Sequence, residues 1–353
     1  MKQHNHVSTI FERMKVKNLL TAVLFCTVLT ATAQQRPYYT QYIMNNFIVN
    51  PAMAGIENYT DVKISHRAQW VGLDGAPVTT YLTIHAPLKK SEYDRETATS
   101  FHRAGFNPRG EAYWQEYTAP ENHGGIGLTI LNDRTGPLNN FGATATYAYH
   151  MGIGPHTSLS AGISAGITNL RLDASKLQFN TPVDPAVNGS GYLNNVRPDI
   201  SAGLWLYDRD FFLGLAVQQI VPQKIVYNET GVNLEQGKLV PHMFLSAGYR
   251  MFLSEDVSFL PSTTLRYISP LPLGFDLNAK FQYQDLVWAG ASYRYQDGYA
   301  AMLGVNISST LNVGYSYDFT TSRLNTVSKG SHEIVIGFQL GNKYGDWCPR
   351  NTY

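Results

Sequence analysis

From position 61 onward the sequence alternates between apolar and polar residues in runs of about ten, separated by turn chemistry. The clearest run sets Phe275, Leu277, Ala279, Phe281 and Tyr283 against Asp276, Asn278, Lys280 and Gln282. Val62, Ile64 and Ala68 alternate in the same way with Lys63, Ser65, Arg67 and Gln69, and Val287, Ala289, Ala291, Tyr293 and Tyr295 with Gly290, Ser292, Arg294 and Gln296. Successive side chains of a strand point to opposite faces, so each run is a ribbon with one apolar side. Fourteen runs can be counted, near 61–70, 78–87, 124–132, 140–151, 157–168, 197–207, 211–219, 242–252, 257–268, 273–284, 287–296, 299–308, 311–319 and 332–340. An even count of segments this long suits tilted strands that each cross a bilayer. The pattern predicts an all-β fold, a transmembrane antiparallel β-barrel of outer-membrane type with about 14 strands.

A soluble β-sandwich would share the alternation, and composition separates the two. Charged residues make up 15% of the chain and aromatics 12%, with 23 tyrosines, where a soluble domain carries about 25% charge. The polar alternates are mostly Gly, Ser, Thr and Asn with scattered charge, which suits a lumen. Aromatics gather at run ends, as in Tyr38-Tyr39, Trp70, Tyr207 with Phe211-Phe212, and positions 315–319, where interfacial girdles would lie. A mean hydropathy of −0.20 excludes a bundle of membrane helices. The abundance of Tyr, Phe, Ile, Leu and Val excludes disorder. A net charge of +1 gives no electrostatic case for nucleic acid.

The N-terminus carries a targeting segment. Arg13, Lys15 and Lys17 form a basic region, 19–30 an apolar stretch and Ala31-Thr32-Ala33 a small-residue cleavage site, so 1–33 is expected to be a signal peptide. Its removal leaves 23 basic against 25 acidic residues and one cysteine, Cys348, so no intramolecular disulfide is possible. The expected organisation is then an N-terminal segment 34–60, either periplasmic or a plug, a barrel over 61–340 and a C-terminal tail over 341–353. With both chain ends in the periplasm, the turns at 207–210, 253–256 and 284–286 are periplasmic, and the long segments 169–196 and 220–241 are extracellular. A charged insertion, 88–122, then falls on the periplasmic side, either as a periplasmic insertion or folded into the lumen as a plug.

Residue types that could carry chemistry are scattered rather than spaced. His85, His150, Ser158, Ser160 and Ser164 sit on polar alternates, but no spacing selects a nucleophile with its base. Glu92, Asp94, Glu96, His102, Glu111, Glu116, Glu121 and His123 gather in the insertion without metal-ligand spacing. No enzymatic activity, metal or cofactor is implied. Strand glycines are expected to relieve packing at the barrel wall. Lys63, Arg67, Arg250, Arg266, Asp276, Lys280 and Arg294 fall on polar alternates, and together they are expected to form a lumenal charge network that closes the barrel to free diffusion.

The most specific strings lie before and within the first hairpin. They are Tyr39-Thr40-Gln41-Tyr42, then Asn50-Pro51-Ala52-Met53-Ala54-Gly55, then Arg67-Ala68-Gln69-Trp70-Val71-Gly72-Leu73-Asp74-Gly75-Ala76-Pro77. Asn50 before Pro51 sets an Asx-type turn that Gly55 releases, and 72–77 build a tight hairpin tip. Further strings are Gly125-Ile126-Gly127-Leu128, Asn132-Asp133-Arg134-Thr135-Gly136-Pro137, Tyr147-Ala148-Tyr149-His150, Gly330-Ser331-His332-Glu333-Ile334 and Cys348-Pro349-Arg350. Together they resemble the PorP/SprF family, outer-membrane proteins of the Bacteroidetes type IX secretion and gliding machinery, and the resemblance runs over essentially the whole chain after residue 33. It marks Gln41, Asn50, Pro51, Gly55, Gln69, Trp70, Gly72, Gly75, Pro77 and Cys348 as candidate interaction positions. The implied partners are outer-membrane lipid, the periplasmic secretion ring and secreted proteins with a C-terminal sorting domain, such as gliding adhesins. The insertion 88–122 departs from the family, in which a short connection is expected. A different class of function, an outer-membrane channel for small solutes, stands beside the secretion reading.

Overall fold

The structure is a computed structural model that describes residues 39–88, 118–173, 176, 192–224, 238–284, 286–321 and 323–342. The expected signal peptide, most of the insertion, Cys348 and nearly all of the C-terminal tail lie outside the described residues. Among those described, fourteen antiparallel strands close into one barrel. They are β1 (Thr60–Ala68), β2 (Val78–Leu88), β3 (His123–Thr135), β4 (Leu138–Gly152), β5 (Ser158–Asp173), β6 (Tyr192–Tyr207), β7 (Phe211–Gln218) and β8 (His242–Tyr249, continued past Arg250 as Met251–Ser254). The series continues with β9 (Val257–Ile268), β10 (Gly274–Tyr283), β11 (Val287–Arg294), β12 (Gly298–Asn306), β13 (Leu311–Thr320) and β14 (Ser331–Leu340). Each strand pairs with its neighbours in sequence. β14 returns to β1 with Thr60 opposite Leu340 and Ala68 opposite His332, so the sheet closes on itself. No helix among the described residues is long and apolar enough to cross a membrane; the crossing is made by strands.

Register fixes which residues face lipid. Ile64, Leu128, Ile163, Leu215, Leu245, Leu277, Leu303 and Ile336 all point outward and stay exposed, a continuous apolar band that water would not tolerate. Exposed aromatics mark both ends of the band: Tyr149, Tyr249 and Tyr283 at the end that carries the barrel's first and last residues, and Tyr267, Tyr295, Tyr299 and Phe319 at the opposite end. The first is called here the terminal end, the second the hairpin end, after the β1–β2 hairpin.

Several strands outrun the sequence expectation on one side. β3, β5 and β6 reach 13, 16 and 16 residues, longer than a bilayer crossing requires. Their extra residues, such as Arg134, Asn169 and Asn194, keep the ladder but lose the apolar alternation. Above the lipid both faces of a strand meet water or lumen, so pairing continues where the pattern stops. Thr135 faces Leu138 across a two-residue turn in which Gly136 takes φ 56°, a connection that matches strand twist.

Residues 39–59 lie inside the barrel. They form three short 3-10 turns, Thr40–Ile43, Asn46–Ile48 and Pro51–Met53, and nearly every side chain among them is buried. Two apolar clusters result. One packs Phe47, Ala52, Met53 and Ile56 on Trp205, Tyr207 and Phe212. The other packs Tyr42, Ile43 and Ile48 on Tyr81, Trp288 and Met302. The wall is cut back to receive the segment: a Cβ on Gly162 would stand 2.5 Å from the Pro51 carbonyl oxygen, and one on Gly125 would collide with that of Ala54. These strand glycines therefore serve the fit between wall and lumen segment, where the sequence pointed only to packing along the wall itself.

Candidate functional site

Three sets of contacts hold the lumen segment, and each uses residues the sequence brings from distant strands. At the hairpin end, Thr40 and Gln41 meet Arg67 of β1, Glu333 of β14, Asp318 of β13 and Arg294 of β11. The Thr40 hydroxyl donates to Asp318 Oδ2 at 2.7 Å and accepts from Arg67 at 2.8 Å and from Arg294 at 3.3 Å, which uses its one proton and both lone pairs. Its backbone N–H donates to Glu333 Oε2 at 2.8 Å, and Gln41 Nε2 donates to the Glu333 carbonyl at 2.8 Å. Arg67 pairs with both Asp318, at 2.5 Å, and Glu333, at 3.2 Å. Arg294 joins Asp297 at 2.7 Å and Asp276 at 3.6 Å, and Arg266 reaches Asp276 at 3.7 Å. Three guanidiniums thus face four carboxylates, all but Asp297 withdrawn from solvent, in a nearly neutral network, the arrangement under which burial of charge is tolerable.

At mid-height the anchor is Asn50. Its Oδ1 accepts from the Ala52 N–H at 3.0 Å, which shapes the turn that Pro51 opens. Its Nδ2 donates to the carbonyls of Leu204 at 2.9 Å and Leu215 at 3.3 Å, one on β6 and one on β7. The amide reaches the sheet because glycines stand opposite it: a Cβ on Gly203 would overlap Asn50 Oδ1, and one on Gly214 would lie 3.2 Å from Nδ2. Ser160 donates to the Ala52 carbonyl at 2.8 Å, and Gln218 donates to those of Ile48 and Val49 at 3.0 and 2.8 Å.

At the terminal end three histidines hold the backbone at Ala54-Gly55. His150 Nε2 lies 2.8 Å from the Ala54 carbonyl and His123 Nε2 lies 3.0 Å from that of Gly55, while the Gly55 N–H donates to His85 Nδ1 at 3.3 Å. His123 and His150 stack with ring centroids 4.6 Å apart. Gly55 takes φ 75°, a left-handed conformation that a side chain would strain, before the chain enters β1. His123 Nδ1 also sits 2.7 Å from the Glu121 carbonyl, so the last residues of the insertion meet the lumen segment through one ring.

The seven charges expected in the lumen all lie on inward-facing positions, but they do not form a single network. Arg67, Arg266, Asp276 and Arg294 meet at the hairpin end. Lys63 pairs with Asp61 near the terminal end, Lys280 lies 5.3 Å from the Trp288 ring, and Arg250 is buried at the break in β8. Gln41, Asn50, Pro51 and Gly55 belong to the lumen segment; Gln69, Trp70, Gly72, Gly75 and Pro77 belong to the β1–β2 hairpin. That hairpin is tied to its neighbours by the backbone, with Gly136 N–H donating to Gly75 O at 2.9 Å and Val71 N–H to Gly330 O at 2.9 Å. Sequence reasoning named Thr40 and Glu333 only within the family strings, gave neither a role in the lumen, and passed over Asp318. The signal was present, because Asp318 and Glu333 occupy the same inward parity on β13 and β14 as the arginines do on β1 and β11.

Above Thr40 the hairpin end opens into a cavity of about 520 Å³. Trp70 and Pro77 from the hairpin line one side, Leu271, Pro272 and Leu273 from the β9–β10 connection line another, and the charge comes from two arginines, Arg266 and Arg294, and two aspartates, Asp133 and Asp297. Trp70 and Gln296, both in its lining, take left-handed φ values of 50° and 63°. Such backbone persists in non-glycine residues only where the surroundings impose it. Among the described residues no group of three His, Cys, Asp or Glu side chains is set to hold a metal ion.

The family model of the type IX secretion system membrane protein PorP/SprF matches residues 31–338. No curated protein matches the chain. Solved structures of similar shape include the Pseudomonas putida toluene transporter TodX, with 9% identity over 87% of this chain and 94% of that one and a TM-score of 0.47. Two more are the Ralstonia pickettii toluene transporter TbuX, with 11% identity over 85% and 92% and a TM-score of 0.46, and Acinetobacter baumannii Omp33, with 8% identity over 81% and 100% and a TM-score of 0.43.

Proposed function

Because this chain belongs to the PorP/SprF family of type IX secretion system membrane proteins, we propose that it supports export or surface delivery of secreted proteins, gliding adhesins among them, as a non-enzymatic barrel whose lumen is plugged. Its place is the outer membrane, as a component of that secretion system. The observation that carries the plugged reading is the seating of residues 39–59. Apolar clusters bury them, and side chains of β1, β2, β3, β4, β5, β7, β11, β13 and β14 bond them. Each buried hydrogen bond is worth about 1 kcal/mol net and each buried large apolar side chain about 1.5–3 kcal/mol, so both offset the cost of ordering the segment. The residue types that a hydrolase would need are engaged here: Ser160 and His150 bond the carbonyls of Ala52 and Ala54.

With the chain ends in the periplasm, the hairpin end faces outward and the insertion faces the secretion ring. In this reading the insertion contacts a ring protein or an exported substrate, and His123 links it to the plug. A comparative secretome of the wild type and a deletion strain tests the function. Loss of particular secreted proteins with unchanged solute permeability is expected. An unchanged secretome with altered permeability would favour the solute channel.

A further inference from the structure

We propose that the cavity at the hairpin end is a binding site for an extended polypeptide segment that carries a carboxylate side chain between apolar ones, and that Asp297 occupies the carboxylate position when no such segment is bound. The proposal rests on the secretion reading and assigns it a site. Two features select the ligand. Leu271, Pro272 and Leu273 present apolar surface at the mouth, Leu273 being 52% exposed, with Trp70 and Pro77 across from them. The same lining holds the guanidiniums of Arg266 and Arg294, the side chain suited to recognising carboxylates, beside the carboxylates of Asp133 and Asp297.

Asp297 points to the mode of binding. It lies on the β11–β12 turn, three residues after Arg294, and its carboxylate meets Arg294 at 2.7 Å. Its side chain is 38% exposed against 8% for that arginine, so it approaches from the open side, while Asp276 and Asp318 hold Arg294 from within at 3.6 and 3.9 Å. A carboxylate arriving from solvent meets the arginine where Asp297 now sits, and the two compete for it. The same guanidinium donates to the Thr40 hydroxyl. Occupation of the cavity is therefore felt at the first anchor of the lumen segment, one bond away.

The test uses the full chain folded into nanodiscs, with Leu273→Cys carrying an environment-sensitive fluorophore in a C26S, C348S background. The probes are three blocked pentapeptides, Ser-Leu-Glu-Leu-Ser and its counterparts with Gln or Lys at the centre. The Glu peptide is expected to saturate the signal, with the Gln and Lys peptides at least tenfold weaker. Asp297→Asn removes the competitor from an exposed turn and is expected to tighten the Glu peptide at least threefold. Equal binding of the three peptides, tighter binding of the Lys peptide, no saturable binding at all, or an Asp297→Asn chain whose affinity for the Glu peptide is unchanged or lower would each overturn the proposal. The same barrel in cells separates this from the broader reading. If deletion of the gene leaves secretion intact, the secretion reading fails; if deletion abolishes secretion but the peptides fail as described, only the cavity assignment falls.

Discussion

Arg67 donates to the Thr40 hydroxyl at 2.8 Å and, through its other terminal nitrogen, to Asp318 at 2.5 Å, so one guanidinium joins the first barrel strand, the thirteenth and the lumen segment. Glu333 completes the group, with the Thr40 N–H and Arg67 both donating to its Oε2.

Removal of that guanidinium leaves Glu333 and Asp318 buried without their main counter-charge. Truncating one partner of a buried ion pair costs about 3–5 kcal/mol. Arg67→Ala is therefore expected to lower the unfolding temperature of the folded barrel, read as its heat-modified mobility on a gel, far more than Lys176→Ala, which breaks an exposed pair worth at most about 1 kcal/mol. Equal shifts for the two variants would contradict the anchoring role.

A complementary test targets the fit between Asn50 and the wall. Gly203→Ala places a Cβ on the Asn50 amide, and overpacking of this kind costs about 1–3 kcal/mol. Truncating the amide makes room, so in a double-mutant cycle Gly203→Ala combined with Asn50→Ala is expected to be less destabilised than the two single losses added together. Strict additivity would show that the two residues do not meet.

The histidine group makes a local prediction. His123→Ala removes the partner of the Gly55 carbonyl and the stacking face of His150, and the loss falls at the point where the lumen segment joins β1. Amide exchange at positions 54–56 is expected to quicken by at least tenfold while exchange in β10–β12 stays unchanged. Uniform acceleration across the barrel would mean that His123 supports the fold as a whole.

The barrel was legible in the sequence because lipid on one face and lumen on the other enforce a period of two, and nothing else in the chain competes with that signal. The lumen segment was not. Its turns are three or four residues long, too short for any period, and its burial is imposed by the surrounding wall, so residues 34–60 stood open between a periplasmic stretch and a plug. The charges show the same limit. Parity puts Arg67 and Arg294 on the face where both are buried, yet parity says nothing about height along the strand or about which carboxylate lies across the lumen, and the junction at Thr40 depends on both. Strand ends beyond the lipid were missed at Arg134 and Asn169 for a simpler reason: the apolar alternation ends with the membrane.

Planar-bilayer recording of the wild-type chain shows whether the lumen segment seals the barrel. With residues 39–59 seated and anchored, the account expects no large steady conductance, and open events to appear once Thr40→Val and Asn50→Ala together weaken the seat. A large steady conductance from the wild type, unchanged by that pair of substitutions, would contradict it.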